Sequence, residues 1–131
     1  MKLVMCCGCF DILHPGHLWH LRAARALGDR LVVALTADRY VNKGPNRPVH
    51  RQDDRAAMLR ELRCVDAVLV YDAPVPYDLI RTLRPAVYVK GLDYKGRLPE
   101  QALVESLGGK VVFTETEKLS STALVEVLCA S

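Results

Sequence analysis

Five short runs of apolar residues are spaced along the chain and constrain its fold more than any other feature. Each run is continuous rather than alternating, which is typical of strands that are buried on both faces of a parallel sheet. Segments with the three-to-four-residue periodicity of amphipathic helices separate them. The pattern predicts an α/β fold, a Rossmann-like open parallel five-stranded sheet with helices on both faces. The runs are Leu3–Cys7, Leu31–Leu35, Ala67–Val70, Ala86–Val89 and Val111–Phe113.

Turn-forming residues fall between the predicted elements and indicate where they end. Gly28 occupies the position expected of a helix C-cap glycine. Arg84-Pro85 should end the third helix, because the residue before proline avoids helical geometry. Gly108-Gly109 should stop the chain in the same way before the fifth strand, and Gln52 or Asp53 should begin the second helix. The length of 131 residues fits one domain, 1–131.

The charge and composition exclude several classes of function. The formal net charge is only +3, and the aromatic residues are five tyrosines, two phenylalanines and one tryptophan. Because nucleic-acid binding normally uses a basic stripe with aromatic platforms, no nucleic-acid partner is predicted. No stretch approaches the roughly 20 apolar residues of a membrane span, and the first apolar run is too short for a signal peptide. The prediction is a cytoplasmic protein without a membrane partner.

The five cysteines allow two interpretations. Cys6, Cys7 and Cys9 form a cluster that resembles part of a metal site, but no second Cys/His cluster has ligand spacing. Cys6 and Cys7 should also point to opposite faces of a strand. The sequence therefore favours small buried thiols in a reducing compartment and predicts no metal site built by the protein itself.

The segment from Gly8 to His17 carries the most chemistry. Gly8 follows the first predicted strand and lacks a Cβ, so a phosphate can approach the backbone. His14 and His17 flank Pro15-Gly16 at the entry to a helix, whose free N–H groups and dipole favour an anion. The two imidazoles add hydrogen bonds to phosphoryl oxygens, and a positive charge if protonated. His20, one turn further along, is interpreted as a satisfied structural histidine.

This segment resembles the signature of the cytidylyltransferase-like nucleotidyltransferases. Its ten residues fit the pattern Gly-x-Phe-Asp-x-Leu-His-x-Gly-His. In that family the His-x-Gly-His pair helps bind the triphosphate during transfer, which implies catalytic roles for His14 and His17. The resemblance extends to a Ser/Thr cluster that opens the last helix and holds nucleotide phosphates. It implies nucleotide-binding roles for Gly8, Cys9, Phe10, Asp11, Gly16, Ser120, Ser121 and Thr122.

Two subfamilies compete within this resemblance. Lys43–Val49, Val89–Tyr94 and Gly108–Val111 resemble the adenylyltransferase domains that make ADP-heptose. Glycerol-3-phosphate cytidylyltransferases share the first signature, and Arg63 before Cys64-Val65-Asp66 is closer to theirs. Their last motif, however, has an arginine near the cytidine where this chain has Glu115. The absence of this arginine favours ATP over CTP. Lys118 replaces a glycine that both subfamilies share, so the match to either subfamily is incomplete.

The remaining candidate residues follow other predicted strands. Lys43, on a loop after the second strand, is expected to close over the phosphates as a mobile catalytic cation. Lys90, Gly91 and Asp93 follow the fourth strand and are predicted to contact the nucleotide or acceptor hydroxyls. Arg55 and Arg63 are the candidates for binding the acceptor phosphate. Asp11 is expected to order the signature loop.

The resemblance implies transfer of a nucleoside monophosphate from an NTP to a phosphorylated sugar or polyol, with release of pyrophosphate. Heptose 1-phosphate is the favoured acceptor, Mg²⁺ is expected to accompany the NTP, and a homodimer is implied. The alternatives are a glycerol-3-phosphate cytidylyltransferase and a nucleotide-binding regulatory module without turnover.

Overall fold

A computed structural model describes residues 1–115 and contains a five-stranded sheet that is parallel throughout. The strand order is β3-β2-β1-β4-β5. The predicted α/β fold is confirmed, and each apolar run became one strand. The strands are β1 (Leu3–Gly8), β2 (Arg30–Thr36), β3 (Ala67–Tyr71), β4 (Val87–Gly91) and β5 (Lys110–Thr114).

Within residues 1–115, four α-helices cover the two faces of the sheet. They are α1 (Pro15–Arg25), α2 (Gln52–Arg60), α3 (Tyr77–Leu83) and α4 (Gln101–Ser106), with short 3₁₀ turns at Asp38–Tyr40 and Leu92–Tyr94. Residues of α1 and α2 share a buried cluster with Cys6, whereas Ile80 of α3 and Val104 of α4 share a second cluster with Cys7. The two adjacent cysteines therefore point into different cores, as predicted.

The strand order fixes where a ligand can bind. From β1 the chain moves to β2 and β3 on one side, and then returns to place β4 on the other side of β1. This reversal is a topological switch point, which leaves a crevice beyond the carboxyl ends of β1 and β4. The segments that follow those two ends are 9–14 and 92–100.

The prediction that Gly28 is the C-cap of the first helix is wrong. α1 ends at Arg25 with Ala26 as a right-handed C-cap, so Gly28 is not a left-handed cap. A Cβ on Gly28 would lie 2.6 Å from Val4 Cγ2 and 2.7 Å from the Lys2 carbonyl oxygen. Glycine is required there because the turn packs directly against β1.

The other predicted ends agree with the structure. Arg84 terminates α3, although in a left-handed conformation (φ 45°) rather than an extended one. Gly108 has φ +90° and ends the turn that follows α4. α2 begins at Gln52, whose side chain accepts a hydrogen bond from the Asp38 N–H while Asp38 accepts one from the Gln52 N–H.

Among residues 1–115, no helix combines the length and the apolar character needed to cross a membrane.

Candidate active site

The two signature histidines form a reciprocal cap at the start of α1. The Gly16 N–H donates to His14 Nδ1 at 3.1 Å, and the His14 N–H donates to His17 Nδ1 at 3.3 Å. The imidazole rings stack with their centroids 3.9 Å apart. Both side chains therefore take the role that Ser and Glu play in an ordinary capping box.

This capping determines the tautomer of each ring. Because each Nδ1 accepts a backbone N–H, a neutral ring must carry its proton on Nε2. Burial lowers the pKa of His14, and the positive charge of Lys43 lowers it further. Burial lowers the pKa of His17 to about 4, assisted by His14, Lys43 and His20 and opposed in part by the Ile12 carbonyl. Both rings are thus neutral at pH 7 and act as Nε2–H donors, not as the cations considered from the sequence.

Phe10 shapes the turn between β1 and this cap. It has a left-handed backbone (φ 46°), its side chain is buried, and its ring meets that of His17 edge to face at a centroid distance of 5.3 Å. A Cβ on Gly8 would lie 2.9 Å from the Phe10 ring. Gly8 is therefore needed at least to admit Phe10, which is a reason the sequence did not suggest.

Asp11 ties the signature loop to the loop before α2. Its buried carboxylate accepts hydrogen bonds from the Arg47 guanidinium at 2.6 Å and from the N–H groups of Val49 and His50 at 2.8 and 2.9 Å. Burial alone would raise the pKa of Asp11, but these three donors hold it below its usual range. The expected ordering role of Asp11 agrees with this geometry.

Arg55 does not lie where an acceptor could reach it. Its side chain is fully buried, and the guanidinium donates to the carbonyls of Cys9, Thr36 and His50 and to the Asp38 carboxylate. All of these bonds lie between 2.7 and 3.0 Å. Arg55 fastens the signature loop to β2, so the predicted contact with the acceptor phosphate does not fit its position.

Arg63 lies at the wrong edge of the sheet. It lines a groove together with Arg22, Arg25 and Gly28, at the end of α1 and just before β2 begins. That edge carries the amino ends of the strands, opposite the signature loop. Arg63 is therefore not brought together with His14 and His17 in this chain.

A cavity of about 270 Å³ opens beyond the carboxyl ends of the strands. Gly8, Cys9, Lys43 and Lys90 line it together, so four of the predicted site residues meet there. Lys43 is exposed, and it also influences the pKa of both histidines, which indicates that it lies between the cavity and the histidine pair. The histidine pair does not line the cavity itself, and Lys43 is the residue that relates the two.

Lys90 is the buried cation of this site. Its Nζ donates to the Cys7 carbonyl at 3.2 Å and lies 4.0 Å from the centroid of the Tyr94 ring. Those two contacts fix the ammonium at the end of β4, with the cavity in front of it. Asp93 is exposed on the following turn, and a Cβ on Gly91 would lie 2.8 Å from the Asp93 carboxylate.

Sequence reasoning missed a buried polar network behind the cavity. Thr36 Oγ1 donates to the Gly8 carbonyl at 3.2 Å and is 2.7 Å from the Tyr71 hydroxyl, which in turn is 3.1 Å from Cys7 Sγ. Because the Thr36 hydrogen is used, Tyr71 donates to Thr36 and Cys7 donates to Tyr71. The only signal for this network was the position of Thr36 and Tyr71 at the ends of apolar runs.

Three further features of the sequence are His20, the Ser/Thr cluster and the possible metal ligands. His20 is satisfied, as expected, by a 2.7 Å hydrogen bond between its Nδ1 and the Thr114 hydroxyl. Ser120, Ser121 and Thr122 lie outside the described residues. Residues 1–115 contain no group of three or more His, Cys, Asp or Glu side chains placed to hold a metal ion.

A parallel sheet with a histidine-capped helix and a lysine-lined cavity at its switch point is an arrangement typical of α/β proteins that bind phosphorylated ligands. Residues 5–127 match the family model described as cytidylyltransferase-like. The chain belongs to the cytidylyltransferase-like family and is a nucleotidyltransferase domain.

Curated relatives and a solved structure agree with this assignment. The chain is 48% identical over 128 residues to the bifunctional protein HldE of Gluconobacter oxydans, a match that covers 95% of this chain and 27% of that protein. It is 50% identical over 122 residues to HldE of Streptomyces coelicolor, covering 90% and 26%. The chain thus spans about a quarter of the length of these relatives.

The structural comparison supports the same fold. The lipopolysaccharide core biosynthesis protein from Thermoplasma volcanium has a TM-score of 0.77 to this chain at 28% identity. The match covers 90% of this chain and 99% of that one.

Proposed function

We propose that this domain transfers adenylate from ATP to a sugar 1-phosphate, with heptose 1-phosphate as the favoured acceptor. The observation that carries the proposal is the pair of neutral imidazoles, each with an Nε2–H donor, near a cavity that is lined by two lysines. Preorganised donors at a helix N-terminus are suited to the charge that develops on a phosphoryl group.

The proposed reaction is a displacement at the α-phosphorus of the NTP. An oxygen of the acceptor phosphate forms a bond to the α-phosphorus, and the bond from this phosphorus to the bridging oxygen of pyrophosphate breaks. A phosphate oxygen is already anionic at neutral pH, so no general base is required. His14 and His17 donate to the triphosphate, while Lys43 and Lys90 offset negative charge from the cavity side.

The choice of ATP and of a sugar phosphate is supported by sequence resemblance. Lys43–Val49 and Val89–Tyr94 resemble the ADP-heptose-forming domains, and the curated relatives at 48% and 50% identity are HldE proteins. The second candidate, a glycerol-3-phosphate cytidylyltransferase, is favoured by the stretch Arg63-Cys64-Val65-Asp66.

We expect Mg²⁺ to enter with the NTP, where it would offset part of the phosphate charge. The described residues do not fit a dedicated metal site, because Asp11 already accepts three hydrogen bonds and no other group of ligands is assembled. No step assigned to a side chain here depends on the ion.

A matrix of substrates tests the proposal. Each of the four NTPs is incubated with heptose 1-phosphate, another sugar 1-phosphate or glycerol 3-phosphate, and pyrophosphate release is measured. ATP with a sugar 1-phosphate should give the highest kcat/KM. Turnover with CTP alone would contradict the adenylyl assignment. NTP binding without turnover on any acceptor would identify a regulatory module instead.

We also propose that the domain forms a homodimer, as the family resemblance implies. Sedimentation equilibrium on the purified chain should give twice the mass of one chain. The mass of a single chain at every concentration would contradict this proposal.

A further inference from the structure

The far wall of the cavity is built by the loop between β4 and α4. Tyr94, Arg97, Leu98, Pro99 and Glu100 line it, opposite Cys9 and Lys43. Lys43 also lowers the pKa of both histidines, so its side of the cavity is assigned to the triphosphate of the proposed function. The far wall is therefore the part of the cavity left for the acceptor.

Glu100 occupies an unusual position in this wall. It is the N-cap residue of α4, yet its side chain makes no capping hydrogen bond, and only 4% of the residue is exposed. An N-cap side chain normally satisfies a free N–H of the first helical turn. The carboxylate of Glu100 instead turns inward, toward the sheet.

Tyr88 holds this carboxylate through one oxygen. The Tyr88 hydroxyl donates to Glu100 Oε2 at 2.6 Å, and the Tyr88 side chain is completely buried in β4. Burial raises the pKa of Tyr88, and the negative charge of Glu100 raises it further, so the phenol keeps its proton. The direction of this hydrogen bond is thus fixed, with Glu100 as the acceptor.

The other oxygen, Oε1, faces accessible space. No hydrogen bond reaches it from residues 1–115, and no buried side-chain oxygen in that part of the chain lacks a partner. Oε1 is therefore accessible, and Glu100 lines the cavity. An accessible carboxylate oxygen in a cavity wall, which can only accept, is suited to a hydroxyl group, and not to the phosphate that Lys90 and Arg97 attract.

We infer that Glu100 binds hydroxyl groups of the acceptor sugar and that Tyr88 positions it for this purpose. The inference rests on the proposed function and assigns the acceptor specificity of that same site. It places the acceptor phosphate near Lys90, at the end of β4, and the carbon chain of the acceptor along residues 94–100.

Glu100→Gln tests the assignment with little change of shape. The KM for the sugar phosphate should rise at least about tenfold, because a charge-assisted hydrogen bond is replaced by a weaker neutral one, while the KM for the NTP should stay within about twofold. Glu105→Gln is the matched control, since Glu105 is exposed on the same helix and bonds only to Gln101. Its kinetic constants should not change.

Acceptors that lack one hydroxyl group separate a binding role from a structural one. One monodeoxy sugar phosphate should lose at least about tenfold in kcat/KM with the native chain and less than about twofold with Glu100→Gln. Tyr88→Phe should weaken the same discrimination, because the carboxylate loses the donor that orients it.

The outcomes distinguish this inference from the proposed function. If the native chain uses a sugar phosphate and Glu100→Gln leaves its KM unchanged, the assignment of Glu100 is wrong and the proposed function stands. If each deoxy acceptor lost the same factor in kcat/KM with the native chain as with Glu100→Gln, the assignment of Glu100 would also be wrong. No turnover of the native chain on any sugar phosphate contradicts the proposed function, and the assignment of Glu100 with it.

Discussion

The two ends of the proposed site are held in place by different kinds of contact. At the phosphate end, His14 and His17 are fixed by hydrogen bonds that span two or three residues. At the acceptor end, Lys90 depends on the Cys7 carbonyl, 83 residues away, and Glu100 on Tyr88, 12 residues away. The phosphate-binding geometry is thus mostly a property of one segment, whereas the acceptor wall exists only once the sheet has formed.

Arg55 is an exception to this contrast, because it contacts the phosphate end from a distant part of the chain. It reaches the signature loop from α2, 46 residues along the chain, through its hydrogen bond to the Cys9 carbonyl. If the capping hydrogen bonds of His14 and His17 were enough to hold the signature loop in place, loss of the Arg55 contact would change the stability of the protein little.

Replacing Arg55 should therefore have the largest effect on stability. Arg55→Met removes one donor from each of the carbonyls of Cys9, Thr36 and His50 and from the Asp38 carboxylate, so the free energy of unfolding should fall by about 3–5 kcal/mol. Denaturant unfolding measures the change, with the exposed Arg51→Met as control. A decrease of less than about 1 kcal/mol in the free energy of unfolding would show that the signature loop keeps its structure without Arg55.

His17→Ala should have the largest effect on chemistry. It removes one Nε2–H donor and the cap on the His14 N–H, so kcat should fall roughly 10²–10³-fold, as expected for one donor that stabilises developing charge. Steady-state kinetics at saturating NTP measures this, while His50→Ala should change kcat little, since only the backbone of His50 is engaged. A decrease below about threefold would remove the histidine pair from the mechanism.

Lys43→Ala should reduce activity less than His17→Ala does. Lys43 is related to both ends of the site, because it lines the cavity and also lowers the pKa of both histidines. Loss of one charge-assisted contact to the triphosphate is worth about 1.5–3 kcal/mol, which corresponds to roughly ten- to 150-fold in kcat/KM. Lys95→Ala, an exposed lysine outside the cavity lining, is the control. Equal activity of the two variants would place Lys43 among ordinary surface lysines.

The same contrast explains how much the sequence predicted. Continuous apolar runs identified all five strands, because burial on both faces leaves a strong local pattern. The histidine pair could be predicted because its contacts lie within the signature. β4 extends beyond its apolar run to Lys90 and Gly91, whose polar or missing side chains broke the pattern.

Residues whose role depends on distant partners could not be predicted. Arg55 has Asp53, Asp54 and Arg60 on the same helix and resembles an exposed residue in the sequence. Its burial depends on acceptors from β2 and the signature loop. Glu100 follows no apolar run and belongs to no motif, so only the fold reveals its contact with Tyr88.

The central claim is that His14 and His17 are neutral rings that present Nε2–H to the triphosphate. Two-dimensional ¹H–¹⁵N spectra that report on the imidazole nitrogens test it directly, at pH 7 and at pH 5.5. Because its pKa is lowered from 6.5 to about 4, His17 should remain the neutral Nε2–H tautomer at both pH values, whereas an unperturbed histidine is largely protonated at pH 5.5. An imidazolium signal from His17 at pH 5.5, or a proton on Nδ1 of either ring at pH 7, would contradict the account.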